Sequence, residues 1–153
     1  MNDKEYLRYL HIRAEVERHL STLKEAFSWI EQKTGLPLNE QKVNSLLKTT
    51  EGTMVLDQIA YRFSKLQDSL GKLLKVYLFL KGENAYHLPI GDVVLLMEKY
   101  GFNISLERWF ALRSIRNALA HEYEEEREKI AFVINRVREE LPFFEKLLNQ
   151  LTL

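Results

Sequence analysis

Apolar residues recur at steps of three and four along most of the chain, the period of a helix with one buried face. From Asp3 to Lys33 these positions are Tyr6, Leu7, Leu10, Ala14, Leu20, Leu23, Phe27 and Ile30, and Gly35 and Pro37 end the block. A short block from Asn39, an N-cap residue type, to Lys48 carries Val43, Leu46 and Leu47. A long third block, Thr53 to Lys81, holds a continuous stripe: Val55, Ile59, Phe63, Leu66, Leu70, Leu73, Leu74, Tyr77 and Leu80. Gly82 stops it. Gly71 inside it lowers helix propensity by about 1 kcal/mol relative to Ala, and a close helix–helix approach is a reason to keep it. Pro89 opens a fourth block that ends at Tyr100 before Gly101. The fifth runs from Ser105, an N-cap candidate, to His121, and the sixth from Glu124 to Leu151 with Pro142 inside it. That proline is expected to kink or divide the sixth helix. No segment alternates with period two. The expected fold is all-α: one domain over residues 1–153, an antiparallel helical bundle of four main helices plus short ones.

Composition narrows the chemistry. The 153 residues include 22 Lys+Arg and 22 Asp+Glu, so the formal net charge is zero and any nucleic-acid contact must be local. There is no Cys, which excludes disulfides, thiolate nucleophiles and Cys-based zinc sites. His11 and His19, eight apart on the first helix, lack a third ligand at matched spacing, so no metal site and no cofactor is expected. The N-terminus shows no apolar signal core, and no stretch approaches the roughly 20 apolar residues of a membrane span. A cytoplasmic protein with no membrane partner is the expectation.

The fifth block contains the unusual residue. On a wheel of about 100° per residue, Trp109, Leu112, Leu119 and Ala120 lie within about 60° of Arg116. Arg116 therefore projects from an apolar arc, and an unpaired guanidinium there is costly. Either a carboxylate pairs with it, with Asp57 or Asp68 as candidates, or the arc opens onto a cleft or a subunit interface. Arg113, Asn117 and His121 lie progressively round one side of that arc. His121 falls about 140° from Arg116, so the two converge only if the helix ends near Ala120 or if they meet across a two-fold axis. Tyr123 follows in the expected loop.

Arg116, Asn117, His121 and Tyr123 together read R-N-x-x-x-H-x-Y. This pattern in the 105–123 region resembles that of HEPN domains, in particular the HepT-type toxins of two-gene HEPN–nucleotidyltransferase modules. The stretch Asp57 to Asp68 resembles a third-block pattern of the same family and of its relatives, the nucleotidyltransferase substrate-binding proteins. The resemblance runs from about Thr53 to Leu151. It implies a homodimer in which two R-x4-H motifs share a cleft, and a metal-independent endoribonuclease with Arg116 and His121 as the catalytic pair. Asn117, with Arg113 beside it, would support that pair. It also implies a cognate minimal nucleotidyltransferase that transfers AMP to Tyr123 and silences the toxin, with RNA as substrate. The alternative within the same relationship is a non-catalytic substrate-binding or accessory subunit of a nucleotidyltransferase.

The residue types suit that chemistry. Imidazole exchanges protons near neutrality, and guanidinium keeps its charge and offers a planar fork to phosphate oxygens. An adenylyl group on Tyr123 would add negative charge and bulk beside His121. The acidic run Glu122, Glu124, Glu125, Glu126 and Glu128 opposes a phosphate backbone, and reads most simply as a dipole-favoured first turn of the sixth helix. Bland readings remain for the rest. Arg116 can be a structural ion-pair partner and His121 a residue on the helix dipole. Tyr61 and Tyr77 are expected in the core, Lys65, Lys72 and Lys75 on a solvated basic strip, and Trp109 and Phe110 in a core or dimer seam.

Overall fold

The computed structural model describes residues 3–121 and 126–153, with His121 described for its backbone alone. Among these residues all regular structure is helical: α1 (Asp3–Lys33), α2 (Glu40–Leu47), α3 (Thr50–Leu80), α4 (Ile90–Lys99), α5 (Leu106–His121) and α6 (Arg127–Gln150). The helix ends follow local chemistry. Asn39 caps α2 by accepting from the Lys42 amide, and Thr49 caps α3 by accepting from the Gly52 amide. Ser105 Oγ accepts from the Arg108 amide at 3.0 Å at the start of α5. Gly82 (φ 95°) and Gly101 (φ 87°) take the left-handed backbone that follows α3 and α4.

Four helices form the body. Residue pairs such as Tyr9–Tyr77, Glu15–Ser69 and His19–Arg62 show α1 and α3 running antiparallel. Asp68–Arg116 and Gly71–Trp109 place α5 antiparallel to α3, and Lys24–Glu145 with Arg13–Leu148 place α6 antiparallel to α1. The order is up, down, up, down, with α2 and α4 in the connections. One hydrophobic core takes residues from all six helices, and at its centre Phe63 meets Phe144 edge-on, 6.0 Å between centroids at 89°. Polar ties close the ends. Arg13 donates to the carbonyls of Leu148 and Leu151 at 3.1 and 2.9 Å, a cation on the C-terminus of α6. Asn135 holds Leu38 by both its backbone groups, at 2.8 and 3.0 Å. None of the described helices is long and apolar enough to cross a membrane.

Several expectations change. In the first half of α1 the buried stripe is Tyr9, Ile12 and Val16, so Tyr6, Leu7, Leu10 and Ala14 face outward. The apolar content there supported two registers, and the helices that pack on it selected one. The third helix starts at Thr50, earlier than Thr53, because Thr49 supplies the cap. Pro142 does not divide α6; its neighbours Leu141, Phe143 and Phe144 are buried and hold the helix through the lost hydrogen bond. Tyr61 is 55% exposed, with Arg62 and Lys65 over its ring at 5.8 and 5.6 Å, so it belongs to the surface, while Tyr77 is buried as expected.

The α1–α3 seam carries a pH-sensitive contact. Arg62 Nη1 lies 3.1 Å from His19 Nδ1. Burial pushes the imidazole below its ordinary value; Arg62 adds to this, as do Arg18 and Lys65, and Glu15 opposes it. A folded pKa below the unfolded one means that this group's contribution is complete above the unfolded pKa and is lost as pH falls through the folded one. Midpoints of urea unfolding should therefore drop between about pH 7 and about pH 5, and His19→Gln should flatten part of that drop. An identical pH slope in both proteins would contradict the assignment.

Candidate functional site

The arc of α5 that buries Trp109, Leu112 and Leu119 faces α3, and Arg116 stands on it. Its partner is Asp68. Arg116 Nη1 meets Oδ1 at 2.5 Å and Nη2 meets Oδ2 at 3.2 Å, a bidentate fork. Of the two carboxylates considered, Asp68 is therefore the one. The pair is not sealed: the side chains are 38% and 42% exposed.

The arc also opens onto a cleft. A groove of about 250 Å3 lies between α3 and α5, with Ile90 of α4 at one side. Asp68, Lys72 and Lys75 line it from α3, and Arg113 and Arg116 from α5. Its apolar lining includes Gly71 and Trp109. A Cβ at Gly71 would stand 3.4 Å from Ile90 Cδ1 and 3.8 Å from Trp109 Cη2. These are ordinary contacts with side chains, so no close backbone approach explains this glycine; its bare surface widens the groove instead. Lys72, Lys75 and Arg113 have no ion-pair partner among the described residues, so the groove holds four cations against one carboxylate. The expected basic strip borders this concavity, with Lys72 and Lys75 on its wall and Lys65 engaged at Tyr61.

The other candidate residues distribute along the same helix. Arg113 is exposed and lines the groove. Asn117 is exposed and is not part of the lining. His121 is the last residue of α5. Tyr123 lies outside the described residues, as do Glu122, Glu124 and Glu125. Of the acidic run, Glu126 occupies the N-cap position of α6 and Glu128 its first turn, where negative charge complements the helix dipole. Among the described residues no group of three or more His, Cys, Asp or Glu is placed to hold a metal ion.

Two features escaped the sequence reading. Gln67 is 3% exposed, lines the groove, and leaves its Oε1 without a hydrogen-bond partner among the described residues. The signal was present: Gln67 occupies a position four after Phe63 and three before Leu70, inside the apolar stripe. The second lies on the opposite side of α5, where buried Glu140 of α6 accepts from Arg108 at 2.5 Å and from Arg136 at 3.4 Å. Beside that network a shallow apolar furrow runs between α5 and α6, lined by Ala111, Ala118 and Phe132 among others. Phe132 is 67% exposed, and Phe110 of α5, outside the furrow's lining, is 53% exposed. Trp109 is core, whereas Phe110 is not.

Comparison with family models, with curated proteins and with solved structures finds no match to this chain.

Proposed function

We propose that the chain is a HEPN-type, HepT-like toxin, a metal-independent endoribonuclease that works as a homodimer. What supports this reading is the placement of Arg116. A guanidinium oriented by a bidentate carboxylate stands at the rim of a cationic groove, on a helix whose last residue is His121. Orientation by Asp68 lowers the entropy that the fork would lose on gripping a phosphate.

The chemistry follows from these groups. One His121 takes the proton from a ribose 2′-hydroxyl, whose oxygen attacks the adjacent phosphorus. The 5′-oxygen leaves and receives a proton from the His121 of the second subunit. The products are a 2′,3′-cyclic phosphate and a 5′-hydroxyl end, so charge and protons balance. Arg116 stabilises the charge that builds on the phosphorus oxygens. Two subunits are required, because one chain supplies a single imidazole at this helix end. Exposed Phe110 on the motif helix and exposed Phe132 on α6 provide apolar surface for such a pairing. Tyr123 is the residue that a cognate minimal nucleotidyltransferase would modify with AMP. Co-expression with such an enzyme should give a Tyr123 peptide heavier by one adenylyl group in mass spectrometry; an unmodified peptide at full coverage would remove the regulatory part.

The second reading, a non-catalytic accessory subunit of a nucleotidyltransferase, draws on the same ion pair. If Asp68 occupies the guanidinium permanently, Arg116 is structural. The two readings separate cleanly. A half-exposed pair is worth about 1 kcal/mol or less, so Arg116→Ala should leave the folded state nearly as stable. Expression of the native chain should arrest growth, and Arg116→Ala should relieve the arrest at equal protein level. Growth unaffected by the native chain favours the accessory role.

A further inference from the structure

We propose that a single strand of RNA lies along the outer face of α3, its phosphates on Lys75, Lys72 and Lys65 and a base on the ring of Tyr61. On a wheel of about 100° per residue, Lys65, Asp68, Lys72 and Lys75 all fall within about 40° of Tyr61. They form one row, about 20 Å long at about 1.5 Å per residue. The chain as a whole has a formal net charge of zero, yet this row is basic. Asp68 is its one carboxylate, and Arg116 engages it. Lys65, Lys72 and Lys75 have no carboxylate partner among the described residues. Exposed Asp57, one turn before Tyr61 on the same face, ends the row.

The row joins two cationic clusters. At one end Lys72 and Lys75 line the α3–α5 groove together with Arg113 and Arg116. At the other, Arg62 and Lys65 of α3 and Arg18 of α1 are near enough to act on His19, with Glu15 opposing them. Between these ends the row runs alongside the motif helix. Because α5 is antiparallel to α3, the step from Arg116 to His121 has the same direction as the step from Asp68 to Tyr61. A small anion would occupy one point of such a row, whereas a strand's repeated phosphates occupy its length. Tyr61 selects nucleic acid over other polyanions. Its ring is 55% exposed, with Arg62 and Lys65 beside it. Cations along a backbone and an aromatic ring for a base are the means by which single strands are held without sequence preference, since every base has a π-face. A duplex presents two backbones across a groove and stacks its own bases, and this face offers one row. The use of the track, feeding a strand past Arg116 and His121, rests on the ribonuclease reading.

The test is fluorescence anisotropy of the full-length protein with a labelled 2′-O-methyl oligouridylate of about ten nucleotides. It has no free 2′-hydroxyl, so binding is read apart from cleavage. Lys65→Glu with Lys72→Glu should weaken binding at least about tenfold and flatten the slope of log affinity against log salt by about 1.4, two phosphates at about 0.7 each. Lys48→Glu with Lys146→Glu, the same change of charge at exposed sites off the row, should bind as the native chain does. Tyr61→Ala should lose at least about fivefold, and Tyr61→Phe, which keeps the ring, should not. Circular dichroism should show every variant as helical as the native chain. The proposal is overturned by absence of binding, by equal loss in the two lysine pairs, or by native-like affinity after Tyr61→Ala. Duplex RNA or polyglutamate binding as tightly as the oligouridylate overturns it too. Binding with these signatures by a protein that cleaves no RNA would sink the ribonuclease reading and leave the track standing. Cleavage by a protein whose strand affinity ignores the Lys65 and Lys72 changes would do the reverse.

Discussion

Gly52→Ala is expected to destabilise the fold by about 3 kcal/mol or more, a large share of the margin of a single domain. Gly52 sits in the first turn of α3, where its amide is the donor to the Thr49 cap at 3.0 Å. A Cβ there would stand 2.0 Å from the Leu46 carbonyl oxygen and 2.7 Å from its carbon. Both are backbone atoms at the end of α2, so no side-chain rotation relieves the clash. The α2–α3 corner must open, and Val43 and Leu46 then leave the core they share with α6. Gly71→Ala is the control. Its Cβ meets only side-chain atoms at 3.4 Å and beyond, and alanine's better helix propensity offsets minor adjustment, so its stability should stay within about 1 kcal/mol of native. Urea unfolding of the two variants checks the contrast, and equal midpoints would contradict it.

These two glycines also show what a sequence can convey. Gly71 lies in the middle of the apolar stripe and the pattern reads it as a close approach, whereas Gly52 precedes the block that the pattern marks from Thr53. The tight approach is at Gly52, because it depends on where α2 turns back, which local pattern does not encode. The same limit explains the N-terminal half of α1. Tyr6, Leu7 and Leu10 form as good a stripe as Tyr9, Ile12 and Val16, and tertiary packing chose the latter. Capping chemistry, in contrast, is local, so Asn39, Ser105 and the glycines after α3 and α4 were legible. At the candidate site, a charged residue on an apolar arc announced Arg116 and offered Asp68 as one of two partners. The polar residue on the facing arc, Gln67, carried the same kind of signal on α3 and was overlooked. The groove it lines exists only once α5 crosses α3.

The second large effect is catalytic. On the proposed ribonuclease mechanism, His121→Ala removes the acceptor in one subunit and the donor in the other, which is expected to cost about 10²- to 10⁴-fold in cleavage rate. On the same proposal, Arg116→Ala is expected to lose charge stabilisation at the phosphorus oxygens, about 10²- to 10³-fold. Neither loss should track stability, since the Arg116–Asp68 pair is half-exposed and contributes little to folding. Asp68→Asn is more subtle. It frees the guanidinium of its counter-charge but loses its orientation, so substrate binding should tighten or hold while turnover falls.

The measurement that bears most directly on the central claim is cleavage of single-stranded RNA by the purified protein in excess EDTA, native chain beside His121→Ala. The native chain should cut and leave 2′,3′-cyclic phosphate ends, and the variant should be slower by at least about a hundredfold. Equal cutting by both, or none by either, would contradict the account.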